Sequence, residues 1–179
     1  MTDISFLAGE ALFTAVWLLL RVIVWLRNGK IDWKREAQLL LMYVNLFVII
    51  RFSFYPFFRV GGKIQPLIFE AEKLLPPRLN IVPIVHLFDY AVRKEQLINI
   101  IGNTALFIPS GVLLPVLYPK LDSLWKVLAA GKFISIGIEI LQLPFPSRVT
   151  DVDDLILNML GLVIGYGIYA LVGRRKRLG

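Results

Sequence analysis

The feature that most constrains this chain is a succession of apolar runs, each about as long as a bilayer is thick. A helix needs roughly 20 apolar residues to cross the hydrocarbon core. Such runs occur at residues 4–26, 37–54, 97–118, 124–143 and 155–172. The hydrophobic fraction of 57% exceeds what a soluble domain carries. The expected fold class is therefore an all-α integral membrane protein, with about five transmembrane helices in one domain over residues 1–179. The first run has no basic segment before it and no small-residue cleavage site after it, so it reads as a span rather than a cleavable signal.

Between the runs lie the features that punctuate membrane proteins. Trp25 and Trp33 flank a basic turn carrying Arg27, Lys30, Lys34 and Arg35. Glu10 and Arg21, near the two ends of the first run, read as anchors to the headgroup layer. Arg51 and Arg59 bracket an aromatic belt containing Phe52, Phe54, Tyr55, Phe57 and Phe58, where snorkelling is the expected role. In the long connection 57–96, apolar residues at 64, 67, 68, 71, 74 and 75 predict an amphipathic interfacial helix ended by Pro76-Pro77. Residues 80–90, with Pro83 and His86, are too short to span and read as re-entrant or interfacial. Pro109 and Gly111 are expected to interrupt the third run, and Gly161 with Gly165 forms a GxxxG pair suited to close helix packing.

Net charge is +7, but the basic residues sit between apolar runs, so they set topology and do not point to nucleic acid. Lys and Arg crowd the turn after the first run, the turn between the third and fourth, and the C-terminal Arg174, Arg175, Lys176 and Arg177. The positive-inside rule then places the N-terminus outside and the C-terminus in the cytoplasm. The chain has no cysteine and only His86 as histidine, which excludes thiolate chemistry and most histidine metal centres.

Polar groups gather around the turn joining the last two runs. Ser135, Glu139 and Gln142 share a helix face at i, i+4 and i+7, and Lys132 lies on the same face. Arg148, Asp151, Asp153 and Asp154 fill the turn; Asp154 and Asn158 share a face of the last run, and Asn99 with Asn103 opens the third. A charge at mid-bilayer costs about 3 kcal/mol, so such residues call for a reason. Three readings stand. In the first they are structural: Thr150 and Asp153 form a capping box, and the amides tie helices together. In the second they bind a ligand, the acids and Arg148 gripping a zwitterionic or amine-bearing headgroup or a cationic antibiotic. In the third they catalyse, with oxygen ligands for Mg²⁺ or Ca²⁺ and a lipid or cell-wall precursor as substrate, although no metal-loop spacing is present.

Asn103-x-x-x-Phe107-Ile108-Pro109-x-Gly111, Ser135-x-x-x-Glu139-x-x-Gln142 and Arg148-x-x-Asp151-x-Asp153-Asp154-x-x-x-Asn158-x-x-Gly161, in that order, resemble the signature of VanZ-like membrane proteins. Asn80 to Pro83 is similar to that family's short stretch ahead of the core, so the resemblance covers residues 80–170. Ser110 departs from the bulky apolar residue the pattern favours. The resemblance implies a multi-pass protein of the bacterial plasma membrane, associated with reduced susceptibility to teicoplanin and related lipoglycopeptides. Its partner would be a membrane lipid or a lipidated glycopeptide. It implies no settled reaction or cofactor. The ligand-binding set expected from the spacing is Asn99, Asn103, Ser135, Glu139, Gln142, Arg148, Asp151, Asp153, Asp154 and Asn158, facing outward by charge distribution, and the resemblance adds weight at Glu139, Gln142, Arg148, Asp151, Asp153, Asp154 and Asn158; the alternative is an enzyme acting on a lipid or precursor.

Overall fold

In a computed structural model, the chain is a set of long helices with short strand pairs between them. The structure describes residues 2–55, 62–74, 79–80, 82–83, 93–147 and 150–178. The order is β1 (Thr2–Ile4), α1 (Phe6–Asn28), α2 (Trp33–Phe54), β2 (Leu67–Phe69), a 3₁₀ turn (Ala71–Leu74), β3 (Leu79–Asn80), α3 (Arg93–Leu117), α4 (Leu124–Gln142), β4 (Thr150–Asp151) and α5 (Val152–Leu178). Helices α1, α2, α3 and α5 are long and apolar enough to cross a membrane. The 19-residue α4 carries Lys126, Lys132 and Glu139, whereas each of the other four helices contains an 18-residue apolar stretch with at most two charged residues. Leu7, Leu12 and Leu26 on α1 and Trp125 and Phe133 on α4 are among many large apolar side chains left exposed. A water-soluble surface does not carry apolar area on that scale, whereas lipid accepts it.

The chain divides into two compact units, Met1–Pro77 with Gln142–Arg148, and Arg78–Leu141 with Val149–Gly179. In the first, α1 and α2 form an antiparallel hairpin whose contacts run in register. Ser5 caps α1 by accepting the Ala8 N–H, and Gly29 ends it in the left-handed region at φ 64°. Arg21 forms an ion pair with Glu36, so it is a cross-helix tie rather than a free anchor. The Thr14 and Tyr43 hydroxyls lie 2.8 Å apart, and the Tyr55 hydroxyl donates to the Ser5 carbonyl at 3.2 Å. β1 pairs antiparallel with β2, and Phe145 packs edge-on against Phe54 and Phe69.

The amphipathic helix expected over residues 64–75 is absent; that segment is β2 followed by a single 3₁₀ turn. A helix that short is marginal by itself. Leu67, Ile68 and Phe69 instead take backbone partners from β1, and Leu67 is buried at 3% exposure. The third span is also one helix: α3 contains both Pro109 and Pro115 without a break. Among the expectations outside the described residues are Arg59, Phe57, Phe58, His86 and most of the 80–90 segment.

In the second unit α3 and α5 cross at near backbone contact. A Cβ on Gly161 would stand 2.2 Å from the Thr104 carbonyl oxygen, and one on Gly165 would stand 2.1 Å from that of Ile108. From the other side, a Cβ on Gly111 would meet the Leu162 carbonyl oxygen at 2.5 Å. Gly111 is therefore an interlocking contact, not an interruption. Gly131 receives the Leu162 side chain, which seats α4 on α5. Lys132 is exposed, away from the buried polar face.

Candidate functional site

The close crossing determines which polar groups meet. α5 starts at Val152, so Asp151 is its N-cap, and its carboxylate accepts the Asp153 N–H at 2.9 Å. Asp151 holds the cap position; the side chain of Thr150, expected to form a box with Asp153, is outside the described ones. β3 pairs parallel with β4 and sets Asn80 opposite Asp151, where the Asn80 amide donates to the Asp151 carboxylate at 3.0 Å. Glu139 approaches from α4 and accepts the Asp151 backbone N–H at 3.2 Å. The positive end of the α5 dipole thus faces carboxylates, the arrangement a helix start favours.

One turn further, the Asn103 amide donates to the Asn99 side-chain oxygen at 2.8 Å and to Asp154 at 2.5 Å. Below that level the Asn158 amide donates to the Ser135 hydroxyl at 2.9 Å. Ser135 is fully buried, and Glu139, Asp153 and Asn158 are 7%, 4% and 6% exposed. Glu139 thus shares the start of α5 with Asp151 and Asp154. Two buried oxygens at this depth, Asn158 Oδ1 and Thr104 Oγ1, have no hydrogen-bond partner among the described residues. The arrangement is a ladder of acceptors and amides running from the start of α5 into the bundle.

The structure thus brings together Asn99, Asn103, Ser135, Glu139, Asp151, Asp153, Asp154 and Asn158 within one unit. Gln142 falls in the other unit, where its amide donates to the Ser53 carbonyl at 2.5 Å at the end of α2. Its helical spacing from Glu139 implied a shared site; its contacts give it a tie to α2 instead. Arg148 lies outside the described residues. Asn80 and Thr104 belong with the cluster but escaped the set of site residues. Only the pairing of β3 with β4 and the glycine crossing bring them in. No group of three or more Asp, Glu or His among the described residues is arranged to hold a metal ion.

The helices that carry the cluster lie inside the segment that matches a known family. The VanZ/LLP1 family model covers residues 39–173. The chain belongs to the VanZ/LLP1 family. With its long apolar helices, this VanZ/LLP1 chain is a multi-pass membrane protein. Comparison with curated proteins and with solved structures finds no match. The VanZ/LLP1 match takes in all the expected site residues and leaves α1 outside it.

Proposed function

We propose that this VanZ-like protein resides in the bacterial plasma membrane and binds a lipid-linked or lipidated ligand at the α3–α4–α5 cluster. Through that binding it lowers susceptibility to teicoplanin and related lipoglycopeptides. The observation that carries the reading is the buried contact of Glu139 with the start of α5, beside Asp151 and Asp154. Asp151 already caps α5 by accepting the Asp153 N–H, and Asp153 and Asp154 bring further carboxyl groups to the same helix start. Several carboxyl groups kept together in an apolar bundle are costly to the fold, which supports a ligand role rather than one in stability. Acids with amide neighbours suit an amine-bearing polar head, while the surrounding lipid-facing helices suit an attached acyl chain.

The cluster lies at the N-terminal ends of α3 and α5 and toward the C-terminal end of α4. With α4 counted as a span, the distribution of Lys and Arg supports an outer-face position for that end, where lipid-linked precursors and lipoglycopeptides are met. The test is drug susceptibility of cells carrying wild type, Glu139→Ala or Asp154→Ala at equal membrane abundance. Loss of protection in both variants is expected. Full protection in both would refute the site.

A further inference from the structure

Outside the cluster, and outside the segment matched by the family, one carboxyl group has no role in the reading above. Glu10 lies early in α1 and is 4% exposed, so it does not reach toward headgroups as an anchor would. Both its carboxylate oxygens are buried, and neither has a hydrogen-bond partner among the described residues. The neighbouring hydroxyl hydrogens are engaged elsewhere. The Thr14 hydroxyl donates to the backbone carbonyl of Glu10 itself at 2.7 Å and lies beside the Tyr43 hydroxyl. The Tyr55 hydroxyl, pressed against Gly9, donates to the Ser5 carbonyl.

From α2, Arg51, Tyr43 and Tyr55 are the charged and titratable groups at this level of the hairpin. The Arg51 guanidinium donates to the Tyr55 carbonyl at 3.0 Å and lies over the Phe6 and Phe52 rings, 5.2 and 5.3 Å from their centroids. No hydrogen bond from it satisfies either Glu10 oxygen. An ionised carboxylate with two buried, unpaired oxygens is among the costliest groups a fold can bury. A metal ion requires several oxygen ligands, and an ammonium requires room for its hydrogens. Among the described residues nothing supplies further ligands to the two buried oxygens. A proton neutralises the group without needing space.

We infer that Glu10 is a proton-binding site, carried as the neutral carboxylic acid inside the α1–α2 hairpin. Uptake adds one proton to one carboxylate oxygen and removes one negative charge from the span.

Infrared difference spectroscopy tests this on the full chain in phosphatidylcholine vesicles near neutral pH. Wild type is compared with Glu10→Gln and with Glu10→Asp. The wild type should show the carbonyl stretch of an un-ionised carboxylic acid that Glu10→Gln lacks. That band should be displaced, not lost, in Glu10→Asp, and should shift in deuterium oxide. Loss of ionised-carboxylate stretches on going to Gln would overturn the assignment, as would no difference in the acid region. If Glu10→Gln does not fold by circular dichroism, Glu10→Asp against wild type decides. A displaced acid band supports the assignment; a displaced carboxylate band, or no displaced acid band, overturns it.

Discussion

Adding one methyl group at Gly161 or Gly165 should separate α3 from α5 and dismantle the site without touching any of its polar residues. The new Cβ would stand 2.2 Å from the Thr104 carbonyl oxygen at Gly161, and 2.1 Å from that of Ile108 at Gly165. The second site also meets Gly111 Cα at 2.8 Å. Ordinary contact begins near 3.4 Å, and the obstructing atoms are backbone, so no rotamer change relieves the clash. The helices must part by roughly 1 Å, forfeiting much of the dispersion along their seam. Overpacking of this kind costs about 1–3 kcal/mol. The same substitution at Gly167, where nothing lies within 4 Å, is free of the clash and gains up to about 1 kcal/mol of helix propensity. The assay is unfolding of the purified protein in detergent micelles, followed by circular dichroism. Gly161→Ala and Gly165→Ala should unfold more readily than wild type, and Gly167→Ala should match or exceed it. Equal stability for all three would refute the reasoning that the crossing is set by backbone contact. Gly161→Ala should also weaken drug protection, because the Asn103–Asp154 hydrogen bond spans the same two helices.

Further outcomes follow from individual contacts. Ser135→Ala removes the acceptor of the buried Asn158 amide and should cost about 1–3 kcal/mol, while Ser135→Ala with Asn158→Leu should recover most of it in the same unfolding assay. Asp151→Ala should cost about 0.5–2 kcal/mol as a lost helix cap, and Asp151→Asn, which retains an acceptor, should cost less. At the α3–α4 turn, the hydrogen bond from Lys126 holds the Asp122 carboxyl below the usual carboxylate range. A depressed value means its contribution is present above the ordinary carboxylate range and fades as pH falls through the folded value. Lys126→Ala should move the Asp122 titration upward by NMR; an unmoved titration would mean the pair does not form.

The spans were legible because apolar length and flanking Trp, Lys and Arg are local signals. Gly161 and Gly165 announced a close crossing by their spacing, yet their partner surface did not, since Gly111 beside Pro109 looks like a helix breaker. Only the three-dimensional crossing distinguishes a breaker from a contact. The face shared by Ser135 and Glu139 was readable from helical periodicity. Gln142 fits the same periodicity but serves Ser53, which no local pattern reveals. Asn80 stands out in the stretch ahead of the core, but the parallel strand pair that joins it to Asp151 is too short to be read from local pattern. Residues 64–75 carry a helical period that β1 overrides by offering backbone partners. Glu10 near a span end reads as an anchor until α2 covers it.

The claim that the α3–α4–α5 cluster holds a ligand is tested most directly by native mass spectrometry of the protein released from bacterial membranes. Wild type is compared with the double variant Glu139→Gln/Asp154→Asn, which changes charge at nearly constant shape. The account predicts an amphipathic species bound to the wild type and lost from the variant. The same bound lipids on both proteins, with both folded, would contradict it.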